Sequence, residues 1–310
     1  MPASPLQTAD RRALAVLVMG ACIIGCGPVM IRLAAAGPSA IGLWRLAFAL
    51  PLLLVLAQVE RRRAPDGAAR GPLLKAPGAA WLAGAVFAAD LAFWHYGIRY
   101  TSVANATVLS NLTPVIVAVA AWLLFGERPT LRLAGGLTLA VAGAVVMAVA
   151  RRGPLPEGAN PLLGDILSAS TALWYSGYFL AVRRARETMG AAKVMLVSSV
   201  CAIPLLLVAV VVLREPLLPA TLIGWAACMG LGLMHVSGQG SIAWALGRLP
   251  TALAAVVVLV QPVVAAALGW AVFGEAVNPV QGLGALLALG GVVLAQTTSK
   301  ARAPVPPGEA

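Results

Sequence analysis

The sequence predicts an all-α membrane protein with about ten transmembrane helices, arranged as two inverted five-helix repeats. Three observations lead to this fold class. First, 60% of the 310 residues are hydrophobic and only 11% are charged, whereas a soluble domain carries roughly 25% charged residues. Second, apolar runs of about 20 residues recur along the chain, and each can cross a ~30 Å hydrocarbon core. Third, parts of the first half of the chain recur in the second half.

The apolar runs predict helices rather than strands. They are continuous, without the alternating pattern of a transmembrane barrel, and a helix satisfies its own backbone hydrogen bonds in lipid. The spans, with ends uncertain by ~2–4 residues, are predicted at 13–34, 39–59, 78–98, 102–124, 131–150, 161–182, 192–213, 219–244, 250–272 and 278–297. The first begins like a signal peptide, but its apolar run exceeds the ~7–15 residues of a cleavable segment. We therefore expect it to be retained.

The formal net charge of +11 indicates a membrane orientation. Basic residues collect on the cytoplasmic side of membrane proteins, and with a cytoplasmic N-terminus alternate loops hold most of them. These are Arg61, Arg62, Arg63, Arg70, Lys75, Arg128, Arg132, Arg183, Arg184, Arg186, Lys193, Arg248, Lys300 and Arg302. We expect both termini in the cytoplasm. We expect no nucleic-acid partner, because that would need a basic stripe on one continuous surface.

One hexapeptide occurs twice in nearly the same form, as WLLFGE at 122–127 and as WAVFGE at 270–275, 148 residues later. Further correspondences are Pro114 with Pro262, Gly143 with Gly291, and the pentapeptide PLLLV at 51–55 with its copy at 204–208. Such ordered self-similarity predicts an internal duplication. The predicted units are a first repeat at 1–150, a second at 151–299 and a disordered cytoplasmic tail at 300–310.

Five spans in each repeat is an odd number, so the second repeat must enter the membrane with the opposite orientation. Glu127 and Glu275 are then expected on opposite faces, and the Gly before each one is expected to end its helix. Inverted halves can exchange inward-open and outward-open arrangements around a central site. The duplication therefore predicts a transporter that works by alternating access.

Short motifs mark the ends of several spans. They are Trp44-Arg45 near the start of the second span, Tyr96-Gly97-Ile98, Trp244-Ala245-Leu246, the Ala-rich starts of the fourth and ninth spans with their mid-helix prolines, and both FGE endings. With these motifs the chain resembles the EamA-type carriers of the drug/metabolite transporter superfamily over nearly its whole length. The resemblance implies ten spans and transport of small metabolites. A narrower similarity, to bacterial amino-acid exporters including those for aromatic amino acids, implies the bacterial inner membrane.

Pro114 and Pro262 lie about halfway along corresponding helices. A proline weakens a helix at such a position, and paired interruptions in two repeats indicate a central binding site. The alternative is a tolerated packing kink, because proline is common in membrane helices. We expect both residues to bend or hinge their helices beside a cavity.

Polar and aromatic residues at helical spacing predict which faces line that cavity. They are Thr107, Ser110 and Asn111 in the fourth span, Trp174, Tyr175 and Tyr178 in the sixth, and His235 and Gln239 in the eighth. A single hydroxyl can instead be structural, bonded within its own helix. Amides, hydroxyls and aromatic faces suit a zwitterionic solute, whereas a sugar phosphate would need a dense basic cluster.

Asp90 lies well inside the third span, where an ionisable side chain costs roughly 2.5–3.5 kcal/mol. It is a candidate proton or substrate-ammonium site, with Trp94 one turn away. The alternative is a structural ion pair with Arg45, whose predicted depth differs by only about 3 Å. His95 is a further candidate cavity or gate residue.

Other classes of function fit less well. A membrane-embedded enzyme would need a reactive constellation, yet the sequence holds only two histidines and no HExxH motif or nucleophile elbow. The four cysteines are read as packing residues. We expect no catalytic residue, no metal and no cofactor, and the partners to be a small-molecule solute and the lipid bilayer. A monomer can suffice for transport. A channel is an alternative to a carrier, and sugars or cationic drugs are alternative solutes. The sequence does not identify the coupling ion or the direction of transport.

Overall fold

All regular secondary structure in the described part of the chain is helical. The computed structural model describes residues 5–63, 72–110, 112–125, 131–150, 158–249, 254–255, 257–258, 260–274 and 278–297. The first half contains α1 (Pro5–Gly25), α2 (Gly27–Leu33), α3 (Pro38–Arg63), α4 (Gly78–Tyr100), α5 (Val103–Ser110), α6 (Thr113–Phe125) and α7 (Leu131–Val149). The second half contains α8 (Pro161–Arg186), α9 (Ala191–Val212), α10 (Leu222–Met234), a π-helical segment (His235–Gln239), α11 (Gly240–Leu246), α12 (Val260–Phe273) and α13 (Pro279–Thr297).

These helices form the predicted multi-pass bundle, in which several crossings are divided. The pair α1 and α2, the pair α5 and α6, and the unit α10–π–α11 each make one crossing. By length and composition, three described stretches are apolar enough to cross a bilayer as they stand: Arg12–Leu33, Pro38–Arg63 and Ala191–Val212. The other crossings are interrupted or carry polar residues, which is typical of helices that line a site rather than face only lipid.

The first and second halves pack against each other through antiparallel helix pairs. At one end of the pair α3–α9, Ser39 lies beside Glu215, and at the other end Glu60 lies beside Lys193. In the pair α7–α13, the Asn278 side chain donates to the Ala150 carbonyl. Each of these pairs joins corresponding helices of the two repeats, which is the arrangement expected of an inverted duplication.

Two further contacts mirror each other across the halves. The α4 helix packs antiparallel on α8, with Thr101 bonded to Asp165 near one end and Val86 against Gly177 further along. The corresponding pair is α1 with the eighth crossing, where Gly20 lies against Ser241. The third crossing packs on the sixth, and the eighth crossing packs on the first. These pairings are equivalent in two five-helix repeats, so the fold class predicted from the sequence is confirmed.

The fourth crossing is interrupted just before Pro114. The α5 helix ends at Ser110, α6 begins at Thr113, and the proline occupies the first turn of α6, where its missing N–H leaves no gap in the helix. The Ser110 carbonyl, four residues before the proline, instead accepts from the Thr113 hydroxyl at 3.1 Å. From α8, the Ser176 hydroxyl lies 3.2 Å from the Thr113 carbonyl and 2.6 Å from the Ala172 carbonyl of its own helix, to which it donates. The Thr113 hydroxyl therefore satisfies the carbonyl that the break releases.

The second FGE motif ends its helix as predicted. Phe273 is the last residue of α12, and Gly274 follows with φ of +66°, a left-handed conformation that glycine adopts without steric strain. The N–H of Gly274 donates to the Trp270 carbonyl at 3.0 Å. Residues 126–130 and 275–277, which hold the first Gly and both Glu residues of the motifs, lie outside the described residues.

Candidate functional site

A cavity lies at the centre of the bundle, where helices from both halves meet. Its charged and amide side chains are Arg45 from α3, Asp90 from α4, Gln239 from the π segment and Gln261 from α12. Phe87, Trp94 and Tyr175 supply aromatic walls, and Ser110 and Thr171 supply hydroxyls. The broken fourth and eighth crossings and the ninth all reach this cavity, so irregular backbone is concentrated where polar groups converge.

Arg45 is among the largest fully buried side chains of the described chain, at 2% exposed. Its Nε and Nη1 atoms have no hydrogen-bond partner. The guanidinium carbon lies 5.8 Å from the centre of the Phe87 ring, which is a cation–π distance. A buried guanidinium normally has its donors paired, so Arg45 presents unused hydrogen-bond donors beside the cavity.

Asp90 lines the same cavity and is 5% exposed. Among the described residues it forms no hydrogen bond, and the direct ion pair expected between Asp90 and Arg45 is not formed. Their charges face a shared space without touching. A buried pair lowers its energy most by close, hydrogen-bonded contact, so a separated pair leaves room for a third group between the two charges.

Polar groups of the second half complete the wall. The Gln239 side-chain amide donates to the Tyr175 hydroxyl at 3.4 Å, which joins the π segment to α8. The Nε2 of Gln261 and the Nε1 of Trp94 are buried without a partner. The cavity therefore holds several buried N–H donors whose acceptors are missing from the described protein, and such donors cost free energy until an acceptor binds.

Four residues predicted to line the cavity are placed behind its wall. Tyr178 is buried and its hydroxyl contacts the Met195 sulfur at 3.4 Å. The His235 Nε2 lies 3.2 Å from the Ser199 hydroxyl. The other two are His95 and Trp174.

His95 faces α3 rather than the cavity. Its Nδ1 lies 2.9 Å from the Pro38 carbonyl, so Nδ1 is the protonated donor, and its ring is 1% exposed. Trp174 packs edge-on against Phe93, with ring centres 5.8 Å apart. In both cases the helical spacing identified a polar or aromatic face, but the face meets a neighbouring helix.

Of the remaining predicted residues, Asp90, Trp94, Ser110, Tyr175 and Gln239 lie together at the cavity. Thr107 lies in α5 and Pro262 in α12, but their side chains, like all of Asn111, fall outside the described part of the chain. Their roles, and the hinge role of Pro114, stay predictions.

Sequence reasoning missed Phe87 and Gln261 as cavity residues and treated Arg45 only as a structural partner, whereas Thr171 lies on the predicted polar stripe of the sixth span with Tyr175. One signal was present for Gln261. It directly precedes Pro262, and at the corresponding place Thr113 precedes Pro114. A polar residue before each paired proline marks the position where the helix is interrupted.

A carboxylate closes the bundle at the end opposite to the basic loops. The Oε2 atom of Glu215 accepts from the backbone N–H groups of Ser39 at 2.7 Å and Ala40 at 3.2 Å, at the start of α3. Its Oε1 atom accepts from the Tyr96 hydroxyl at 2.7 Å. A carboxylate at a helix N-terminus is stabilised by the unpaired N–H groups and by the helix dipole. Glu215 thereby ties the end of the seventh crossing to α3 and α4.

A second carboxylate makes the corresponding contact at the basic end, which contains Arg61, Arg186 and Lys193. There Glu60 accepts from the backbone N–H of Lys193 at 3.1 Å, at the start of α9. A side chain at Gly190 would collide with this carboxylate. Gly190 follows Gly37 by 153 residues, the spacing of the PLLLV copies, and a side chain at Gly37 would collide with Glu215. We call these two contacts the mirrored carboxylate caps.

Two arginines add a second mirrored contact. Arg32, at the end of the first crossing, donates to the Thr101 carbonyl at 2.9 Å, just beyond α4. Arg186, at the end of the sixth crossing, donates to the Ala243 carbonyl at 3.2 Å in α11. Both ends of the bundle are therefore tied by equivalent groups.

The central cavity is small. Its volume is about 30 Å³, far below the ~300–1,000 Å³ of typical ligand sites. A solute larger than a few water molecules needs more space than the described residues leave there.

The profile of the EamA-like transporter family matches the chain twice, at residues 11–149 and 162–297. The chain belongs to this family. The EamA-like transporters are membrane transporters of small solutes within the drug/metabolite transporter superfamily, and this is not a family of enzymes. The two matched segments account for the two repeats seen in the bundle.

Solved structures support the fold of this EamA-like transporter. One, described only as a crystal structure of a protein, is 20% identical, aligns with a TM-score of 0.67 and covers 94% of this chain and 98% of that chain. At that identity the similarity establishes the fold alone. No curated protein matches the chain.

Proposed function

We propose that this EamA-like transporter is a carrier that exports amino acids, including aromatic ones, across the bacterial inner membrane by alternating access. The observation that supports it is the separated pair at the centre of the bundle. Among the described residues, two N–H groups of Arg45 have no acceptor and Asp90 has no hydrogen-bond donor, and both side chains line one cavity. An amino acid carries the two complementary charges on two substituents of the same carbon atom.

The carboxylate of such a solute would accept from Arg45, because a guanidinium matches a planar carboxylate with two parallel hydrogen bonds. Its ammonium would donate to Asp90. Gln239 and Gln261 offer adaptable amides for the remaining polar atoms. Each charge of the protein is then neutralised only when the solute is bound, so closure of the cavity around an empty site is disfavoured.

The aromatic wall supports the inclusion of aromatic side chains. Phe87 and Trp94 border the cavity opposite Tyr175, and offset ring pairs contribute ~0.5–1.5 kcal/mol beyond the area they bury. Trp94 also has an unused N–H donor. The pocket therefore combines fixed polar groups with apolar aromatic surface, as ligand sites commonly do.

The mirrored carboxylate caps support alternating access. One cap lies at each end of the antiparallel pair α3–α9, and both are formed together in the structure. Release of one cap while the other holds would open the central cavity to one side only.

Counterflow in liposomes tests the proposal. Vesicles that contain the purified transporter are loaded with unlabelled amino acids, and the uptake of labelled amino acids, sugars and cationic drugs is compared. We expect saturable counterflow of amino acids, with aromatic ones among the best. Counterflow of sugars or cationic drugs without counterflow of amino acids would show that amino acids are not the substrates. Flux that does not saturate would indicate a channel. Dependence on an imposed pH gradient would identify proton coupling.

A further inference from the structure

A second and larger cavity lies away from the solute site, at the basic end of the bundle. It is a groove of about 860 Å³ between the start of α1 and the end of α3, with a floor formed by the start of α9, the π segment and α11. Val16, Leu56, Val59 and Trp244 give it an apolar lining. Leu56 and Val59 are 39% and 38% exposed, so the groove lies on the outer, lipid-facing side of the helices.

The floor of the groove is open in the described part of the chain. A Cβ atom added at Gly240 would meet no atom within 4 Å. The space beside the start of α11 is therefore unoccupied next to apolar walls. In a membrane an acyl chain can enter such a space, and it then makes dispersion contacts that an unfilled apolar void lacks.

The rim of the groove is strongly basic. Arg12, Arg61, Arg63 and Lys193 line it, and in the part of the chain that the structure describes none of them forms an ion pair. The one acidic residue of the lining, Glu60, is engaged by the N-terminus of α9. Among the described residues, positive charge therefore exceeds negative charge at this rim.

A fifth cation lies directly above the apolar wall. The Arg248 guanidinium stacks 3.7 Å from the centre of the Trp244 ring. Burial lowers the pKa of Arg248 from its ordinary value, and the nearby charge of Arg12 lowers it further. Two arginines held close enough to repel each other indicate a place where an anion would be stabilising.

We propose that this groove binds an anionic phospholipid, with its phosphate among Arg12, Arg61, Arg63 and Lys193 and an acyl chain against Leu56, Val59 and Trp244. Basic pockets between transmembrane helices are typical binding sites of anionic headgroups. A free anion would use the rim alone, whereas a phospholipid also fills the apolar floor. The lipid site is separate from the solute cavity and does not depend on the proposed substrate.

Native mass spectrometry of the full-length transporter, released from detergent after titration with phosphatidylglycerol or phosphatidylcholine, tests the charge of the site. We expect retained phosphatidylglycerol at concentrations where phosphatidylcholine is lost. The double variant R61Q/R63Q should bind phosphatidylglycerol about thirtyfold more weakly. The matched control R183Q/R184Q removes two exposed arginines from the same end but outside the groove, and it should bind like the unmodified protein. Equal retention of both lipids, or equal loss in both variants, would overturn the proposal.

A second variant tests the apolar floor. Gly240→Phe places a ring in the open space and should displace phosphatidylglycerol, whereas Gly282→Phe on α13, also in open space, should not. The thermal unfolding temperature without added lipid verifies that each variant folds. Displacement of phosphatidylglycerol by millimolar inorganic phosphate, or full binding to Gly240→Phe, would show a free-anion site instead. If Gly240→Phe does not fold, the arginine variants decide the question.

Discussion

At the residue scale, Arg45 and Asp90 are the energetically costly feature of this molecule. Each is buried inside a crossing, and at the centre of a membrane helix an uncompensated charge costs roughly 2.5–3.5 kcal/mol on insertion scales. Direct contact would reduce that cost, yet the two side chains are separated by a cavity. A solute that carries both charges resolves this imbalance, which makes the pair a candidate recognition element rather than a structural tie.

Substitution of one charge at a time tests that role. In Arg45→Gln, we expect amino acids to bind 10- to 100-fold more weakly, because a hydrogen bond to a charged group contributes ~1.5–3 kcal/mol. The corresponding amine without a carboxylate should be unaffected. Asp90→Asn should show the reverse preference and spare carboxylates that lack the amine. Binding constants for the three ligand types, measured on purified protein, give the comparison.

A purely structural pair predicts a different outcome. Both variants would then lose affinity for all three ligand types in parallel with a fall in thermal stability. A double variant with Arg45→Asp and Asp90→Arg would restore stability in that case, since the pair is exchanged intact. If the pair instead recognises the solute, the double variant should bind an amino acid only in the reversed orientation, with its ammonium at position 45 and its carboxylate at position 90.

At the same scale, the sequence identified half of the cavity. Asp90, Tyr175 and Gln239 were found because a polar or aromatic residue in an apolar helix must have a reason to be there. Helical spacing could not distinguish a cavity face from a face that meets another helix. For this reason His95, which bonds the Pro38 carbonyl, was expected at the cavity although it packs against α3.

At the element scale, the eighth crossing shows what periodicity misses. His235 and Gln239, four residues apart, were expected on one face of an α-helix. The structure forms a π segment there, a local widening of the helix that shifts its hydrogen bonding and often occurs at functional sites. The His235 ring packs against Phe87, with ring centres 5.4 Å apart, while Gln239 lines the cavity. The apolar pattern fixes where a helix lies, but not where its hydrogen bonding shifts.

The pair α7–α13 joins the two halves by close backbone approach. A Cβ atom added at Gly143 would collide with the backbone of Gly284 and Ala288. Small residues at such a contact allow helices to pack tightly where no hydrophobic driving force acts between them. The same helix carries Gly135, where an added Cβ would meet no atom within 4 Å.

These two glycines give a matched pair of substitutions. Gly143→Leu should separate α7 from α13 and lower the free energy of unfolding by about 1–3 kcal/mol or more, because backbone atoms cannot move aside as side chains can. Gly135→Leu should leave it nearly unchanged. Thermal unfolding of the detergent-purified proteins measures the difference, and equal stability of the two variants would contradict the close contact.

At the scale of the whole molecule, the mirrored carboxylate caps relate the two ends of the bundle. Glu60 lies near the end of α3 and Glu215 just beyond the end of the antiparallel helix α9, and each closes over the N-terminus of the other helix. The sequence predicted the inverted repeat from its prolines and FGE motifs. It did not predict the caps. The two glutamates are 155 residues apart, whereas Gly37 and Gly190, which lie against them, are 153 residues apart, so the glutamates do not align in the repeat.

If the caps close the two ends in turn, their removal should have opposite effects. Glu60→Gln weakens the basic end and should favour opening there, whereas Glu215→Gln should favour opening at the other end. A charge-assisted hydrogen bond of ~1.5–3 kcal/mol corresponds to a shift of about tenfold or more between the two arrangements. A cysteine at Ser110, which lines the cavity, reports the shift through its labelling by an impermeant thiol reagent.

The four native cysteines, Cys22, Cys26, Cys201 and Cys228, are first replaced by Ala or Ser, and the reagent is added to one side of sealed vesicles at a time. Each variant should raise labelling from one side and lower it from the other, and the two variants should differ in which side gains. Both variants gaining from the same side would mean that the equivalent contacts do not gate opposite faces. Under this proposal, two caps of the same chemistry at opposite ends bias one equilibrium, that between the inward-open and outward-open arrangements. A change at either cap must therefore alter the accessibility of the cavity from both sides.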